Sequence, residues 1–366
     1  MKKLMILQLI AKYTYTFNKY KTEKIPDRQI YVHDVNKKEA IDIIKQVEIA
    51  NLNRDMQNEP SNVMYPDSFV KYVKTLLGPD IHIKALNDVQ LKQQGFNLVH
   101  AVGKASVRKP RFLIIHYAPA PKYPTVCLIG KGVTFDLGGS NMKPSTPELR
   151  QMKSDKIGGC TVVSLIKYAK DSKMKLNILG LIPLVENVVS GNGLLPGDVV
   201  KSYNGKTVEV VNTDAEGRLI IADSLGYAAT RKIDYLIDLA TLTSDSYKVN
   251  CDTTAAFFTV NNKLRDLINK ISEQVGERVF ALPPWEEYVE YTKSEIADVK
   301  NSYFDKCKQS ETFMATMFLL NFVDQKMKGN FVHFDIAHTY INQLANGNTT
   351  ILLIQLLKEL SKDVPV

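Results

Sequence analysis

The segment "NTDAEGRL" (212–219) sets Asp214, Glu216 and Arg218 on alternate residues directly before an apolar run. In an extended chain, residues i, i+2 and i+4 point the same way, so all three are expected to face one pocket. Two carboxylates on one side of a strand end repel unless a cation lies between them. Gly217 is expected to allow a sharp backbone change before the helix that follows. The competing reading is an exposed acidic turn with Glu216 at a helix N-terminus, where the macrodipole favours it.

A second cluster shifts the balance towards a site. "LIGKGVTFDLGGSNMKPS" (128–145) carries Lys131, Asp136 and Lys143 through a glycine-rich loop, and "MKSDKIGG" (152–159) adds Asp155. Asp136, Asp155, Asp214 and Glu216 thus stand at element ends in the most apolar part of the chain. Such groups are rarely buried without a metal or a charged partner. The histidines at 33, 82, 100, 116, 333 and 338 have no ligand spacing, and no H-E-x-x-H occurs. His116 and His333 fall in apolar runs and read as core or edge residues. Oxygen ligands suit Mn²⁺ or Mg²⁺, and Zn²⁺ is a further candidate. "GKGVTF" lacks the Walker Lys-Ser/Thr pair and the third glycine of a dinucleotide fingerprint, which disfavours a phosphate loop.

The elements that must position these groups are legible as apolar runs. "RFLIIHYAP" (111–119), "TVCLIGKG" (125–132), "LNILGLIPLVE" (176–186) and "DYLIDLATLT" (234–243) are strand-length and do not alternate cleanly. They suit strands buried on both faces of a mixed, largely parallel sheet flanked by helices. Helices are expected over 36–57, 67–77 with Asp67 as N-cap, 158–171 and 219–231. Asn204-Gly205 between two alternating runs predicts a hairpin over 198–212. The fold class is α/β.

The chain has 366 residues, 45% hydrophobic and 23% charged, enough for a sizeable core and typical of a globular protein. No apolar run approaches the roughly 20 residues that span a bilayer. "MKKLMILQLIAKY" lacks the small-residue cleavage site of an export signal and reads as a helix. Cys127, Cys160, Cys251 and Cys307 are scattered without paired spacing, as in reduced thiols of a cytoplasmic protein. The net charge of +8 is spread along the chain rather than gathered in a basic stripe with interleaved aromatics. Nucleic-acid binding therefore has no specific support.

"GKGVTFDLGGSNMKP", "MKSD", "PLVENVVSG", "PGDVV", "NGKTVEVVNTDAEGRLIIADSLGYA" and "DLATLT" resemble, in order, the leucine (cytosol) aminopeptidase family of two-metal exopeptidases. The resemblance implies a metal-dependent aminopeptidase in which a two-metal-activated hydroxide hydrolyses the N-terminal residue from peptides. It implies that Asp136, Asp214 and Glu216 hold one divalent ion and that Lys131, Asp136, Asp155 and Glu216 hold the other, as Zn²⁺, Mn²⁺ or Mg²⁺. A ligating lysine must be the neutral amine, a state that two nearby cations favour. Lys143 is then the electrophile beside the oxyanion, and Arg218 holds a bicarbonate that acts as general base. The simpler reading of Lys143 and Arg218 is as salt-bridge partners of the carboxylates.

The resemblance also sets the domain expectation. Residues 1–35 are a lead-in or linker remnant with the family's usual N-terminal domain absent, and 36–366 form the catalytic domain. The expected partners are peptides with a free N-terminus and further copies of the chain in a homohexamer. The first-residue pocket is expected at Met152, Thr241, Ser244, Ala337 and Tyr340. Here the chain departs from the family, with Ser244 and His338 at usual glycines and "SETFMATMFL" (310–319) lacking the usual Ala-Gly. These departures motivate the alternative of a catalytically weak or inactive homologue serving as a binding or structural oligomer, DNA binding included.

Overall fold

The computed structural model describes residues 14–23, 36–246, 254–303, 310–337, 340–341, 344–347 and 349–362. In chain order the strands are β1 (His82–Leu86), β2 (Arg111–Tyr117), β3 (Thr125–Gly130), β4 (Gly132–Asp136), β5 (Asn177–Asn187), β6 (Val199–Lys201), β7 (Thr207–Glu209), β8 (Tyr235–Ala240), β9 (Ala255–Phe258), β10 (Val279–Ala281), β11 (Val299–Lys300), β12 (Phe331–Asp335) and the short antiparallel pair β13 (Tyr340–Ile341) and β14 (Leu344–Ala345). The helices are α1 (Lys37–Asn58), α2 (Pro66–Leu77), α3 (Asp88–Gln93), α4 (Asn97–Gly103), α5 (Ile157–Asp171), α6 (Glu216–Ala228), α7 (Asn262–Val275), α8 (Glu311–Leu320) and α9 (Thr350–Leu360).

Strand β5 is buried at every residue, as its unbroken apolar run requires, and lies inside a nine-stranded sheet of order β1-β2-β5-β3-β8-β12-β9-β10. Strand β4 extends the sheet by pairing with β5. Pairings β3–β5, β3–β8, β8–β12, β4–β5 and β9–β10 are parallel, and the pairings at β1–β2, β2–β5 and β9–β12 are antiparallel. The sheet is therefore mixed and largely parallel. Helices α1, α2, α5, α7 and α9 pack on one face, and α3, α4, α6 and α8 cover the other. Burial on both faces is what a non-alternating strand pattern encodes. Among the described residues, no helix is long and apolar enough to cross a membrane.

The hairpin forms as expected, with β6 and β7 antiparallel and Gly205 at φ 94° in the turn. Asp67 does not cap α2. Tyr65 is the N-cap and Pro66 the first helical residue, while Asp67 receives the Arg111 guanidinium at 2.6 Å. Cys127 and Cys160 are buried free thiols, and Cys251 and Cys307 lie outside the described residues. His333 is a core residue, fully buried with Nδ1 2.6 Å from Asp238 Oδ1. Of the expected lead-in, residues 14–23 dock on the end of α1, where Tyr15 donates to Asp55 and Lys19 and Tyr20 hold Glu59.

The buried Asp223 on α6 joins three elements. Its carboxylate accepts from the backbone N–H groups of Leu98 (2.8 Å), Val99 (3.1 Å) and Tyr203 (2.8 Å). Burial pushes its pKa up to about 7 against the opposing effect of those three donors. Asp223→Ala strands two buried donors and a half-buried one and is expected to lower stability by about 3 kcal/mol. Urea unfolding measures this, and an unchanged midpoint would refute the joint.

Candidate active site

The candidate residues converge at the C-terminal ends of the parallel strands, the usual place for a site in an open α/β sheet. Asp136 closes β4, Lys131 follows β3, Asn187 closes β5 and Thr241 follows β8. Asp155 follows a 3₁₀ turn (Pro147–Ser154) and precedes α5, and Glu216 opens α6.

The alternate spacing of Asp214, Glu216 and Arg218 does not work through an extended strand. Asp214 lies in a turn, and Glu216 and Arg218 belong to the first turn of α6. The two carboxylates nevertheless meet. One oxygen from each of Asp136, Asp214 and Glu216 lies within 4.8 Å of the others. Gly217 also has a different role from the one its sequence position implies. A Cβ there would stand 2.8 Å from Lys131 Cε and Nζ, so the glycine makes room for the lysine.

Lys131 is the centre of the second group. Its Nζ lies 2.9 Å from Asp155 Oδ2, 2.9 Å from Glu216 Oε1 and 2.8 Å from the Thr241 carbonyl. Its backbone is fixed as well, since its N–H donates to Leu239 O (2.9 Å) and its carbonyl accepts from Gly159 N (2.8 Å). Lys143 Nζ reaches Asp136 Oδ2 (2.9 Å) and Asp214 Oδ1 (2.6 Å). Lys143 therefore makes the ion pairs of the simpler reading, and Lys131 is ion-paired as well. Four carboxyl groups against two ammonium groups still leave an excess of acidic groups in a largely buried cluster.

Burial raises the pKa values of Asp155, Asp214 and Glu216, and Asp136 repels all three further. Asp214 is pushed up to about 7. For Lys131 burial opposes the charged form, but Asp155, Glu216 and Asp136 outweigh it and raise the pKa. Lys143 is raised in the same way, burial being overcome by Asp136, Glu216 and Asp214.

Asp155 Oδ2, Asp214 Oδ1 and Glu216 Oε1 are buried oxygens whose partners, within 2.9 Å, are the Lys131 and Lys143 ammonium groups. Each carboxylate keeps lone pairs beyond the one facing its lysine, and divalent cations with oxygen ligands satisfy these together with the excess of acidic groups. The residues present fit such ions.

The site also uses residues that carry no signal of their own. Asn187 donates to Asp136 Oδ1 (2.9 Å) and the Thr213 carbonyl (3.0 Å), aiming the Asp136 carboxylate. Gly138 N donates to the same oxygen at 2.9 Å. Gly138 (φ 85°) and Gly139 (φ 61°) hold left-handed conformations in this loop. The usable clue to Asn187 was its place, with Glu186, at the end of the apolar run 178–185 in β5.

Arg218 is almost fully buried and lies among different partners. Its Nη1 donates to Asn301 O (2.7 Å), its Nη2 meets Glu311 Oε1 (3.1 Å), and its Nε has no partner. Among the pocket candidates, Thr241 is tied to Asp155 through its hydroxyl and to Lys131 through its carbonyl. Met152 and Ala337 are half-buried and Ser244 is exposed. The side chain of Tyr340, like His338, lies outside the described residues.

Residues 51–357 match the catalytic domain of the cytosol aminopeptidase family. A probable cytosol aminopeptidase 1 of Shewanella oneidensis is 37% identical over 287 residues, covering 78% of this chain and 56% of its own length. A probable cytosol aminopeptidase of Rickettsia canadensis is 35% identical over 346 residues, covering 92% of this chain and 67% of its own. The chain thus spans a little over half to two thirds of the length of these relatives. Among solved structures, the bottromycin maturation enzyme BotP in complex with Mn superposes with a TM-score of 0.89 at 29% identity, over 97% of this chain and 79% of that one. The leucine aminopeptidase of Caenorhabditis elegans gives 0.89 at 27% identity, over 99% and 75%.

Proposed function

The chain belongs to the cytosol aminopeptidase family, and from that membership and the site geometry we propose that it is a metal-dependent aminopeptidase acting on peptides with a free N-terminus. The observation that carries the reading is the convergence of Asp136, Asp214 and Glu216 within 4.8 Å of one another beside the Lys131–Asp155 pair. Asp136, Asp214 and Glu216 would hold one divalent ion, and Lys131, Asp136, Asp155 and Glu216 the other. Bound there, Zn²⁺ or Mn²⁺ supplies Lewis-acid activation of water and of the scissile carbonyl. The relative solved with Mn supports that choice of metal.

The chain's own groups divide the remaining work. Lys131, 4% exposed, is walled in by its carbonyl and carboxylate partners and serves as a ligand once its proton is displaced. Lys143, 23% exposed, is the cation open to a substrate oxygen and is placed to stabilise developing negative charge. Asn187 holds Asp136 in orientation so that its carboxylate need not reorganise. Met152, Thr241, Ser244, Ala337 and Tyr340 form the expected first-residue pocket. Assembly as a hexamer and a cytoplasmic location follow the family pattern.

Bicarbonate on Arg218 does not fit this chain as well as the metals do. Both two-nitrogen edges of the guanidinium include Nη2, the atom that Glu311 holds. No step is therefore assigned to it.

Hydrolysis of a panel of N-terminal amino-acid amides, before and after chelation and with Mn²⁺ or Zn²⁺ restored, tests the proposal. Chelation is expected to abolish turnover and either metal to restore it. Turnover that survives thorough chelation, or none with metals bound, would reject the reading.

A further inference from the structure

We propose that Glu311 fills the anion position on Arg218, so that the counterion of the buried guanidinium is a side chain of this chain and no bicarbonate is recruited. The catalytic consequence rests on the aminopeptidase reading; the occupancy itself does not.

Burying Arg218 is costly. Its side chain is 1% exposed, and a guanidinium taken out of water needs an anion close by. Asn301 O supplies one neutral acceptor at 2.7 Å, which leaves the charge uncompensated. Glu311 Oε1, 3.1 Å from Nη2, is the carboxylate that meets it. Arg218 Nε remains buried and unbonded next to that contact, so a small rotation of Glu311 makes the pairing bidentate.

The backbone holds Glu311 in place. It is the first residue of α8, where the helix dipole favours a negative charge, and its N–H donates to Asp245 Oδ2 at 3.1 Å. The Glu311 side chain is 42% exposed, so the ion pair bridges the buried arginine to solvent and an external anion could reach the same place. A tethered carboxylate has an effective concentration in the millimolar range or above, which dissolved bicarbonate must outcompete. This chain therefore carries its own occupant where an anion would otherwise have to be captured.

The test is a titration of as-purified protein with ¹³C-labelled bicarbonate, followed by line broadening, in the parent, Glu311→Ala and Glu311→Gln. The parent is expected to show no saturable binding. Glu311→Ala leaves the arginine uncompensated and is expected to bind at least about tenfold more tightly than the parent. Added formate should raise its thermal midpoint but not that of the parent. Saturable bicarbonate binding by the parent as tight as that of whichever variant folds, or in the parent alone if neither does, would overturn the proposal. So would a folded Glu311→Ala that binds no bicarbonate. In the activity arm, parent turnover is expected to be the same in bicarbonate-depleted and bicarbonate-supplemented buffer. Absence of turnover in every protein would count against the aminopeptidase reading alone, since the binding comparison is independent of it.

Discussion

Glu216→Gln is expected to lower turnover of an amino-acid amide by well over the roughly 10–100-fold typical of losing an outer-shell partner of a metal site. Glu216 touches both halves of the cluster. Its Oε1 lies 2.9 Å from Lys131, and it shares with Asp136 and Asp214 the group of oxygens within 4.8 Å. The glutamine keeps the shape but removes one negative charge and aims an amide, or its single carbonyl, at a place built for two anionic oxygens. Stability should change much less than activity, because removing the charge also relieves repulsion from Asp136. Steady-state kinetics at saturating Mn²⁺ gives the outcome. A variant with parental turnover would remove Glu216 from the metal site.

Gly158→Ala is expected to destabilise the fold by about 4 kcal/mol or more, at the far end of the range for single substitutions. A Cβ at Gly158 would stand 2.1 Å from the Leu239 carbonyl and 2.6 Å from Lys131 N. Both are backbone atoms of the sheet end, so no side-chain rotation relieves the clash. The same contact carries the Lys131 N–H to Leu239 O bond, which fixes the lysine in the site. Gly191→Ala is the control, since a Cβ there meets nothing within 4 Å. It is expected to change stability by no more than about 0.5 kcal/mol. Thermal and urea unfolding of the two variants decide it, and equal stability would contradict the close packing of α5 against β3 and β8.

These two predictions mark what could be read from the sequence. Glu216, Asp214, Asp136, Asp155 and Lys131 were visible because charged residues at the ends of apolar runs are rare without a purpose. The strands were visible for the same reason, since Leu- and Ile-rich runs that do not alternate must be buried on both faces. Gly158 was visible only as a glycine, and Gly217 only as a place where the backbone could turn. Their roles come from Leu239 and Lys131, which approach from elsewhere in the chain, and no local pattern encodes that. The extended reading of 214–218 failed because α6 begins at Glu216 rather than Leu219, so the carboxylates converge through a turn and a helix. Asp67 was misread as a cap because Pro66 takes the first helical position and Tyr65 the cap, which puts Asp67 inside the first turn, where it pairs with Arg111. Glu311 stood out only as a departure from a family pattern, and its meaning needed the distance to Arg218.

The central claim is that the carboxylate cluster binds two divalent ions. Equilibrium dialysis of chelator-treated protein against Mn²⁺ or Zn²⁺, with elemental analysis of the bound metal, tests it most directly. Saturation at two ions per chain, with loss of both or of the tighter one in Glu216→Gln, is the expected result. No saturable binding in the folded parent, or the same occupancy in Glu216→Gln, would contradict it.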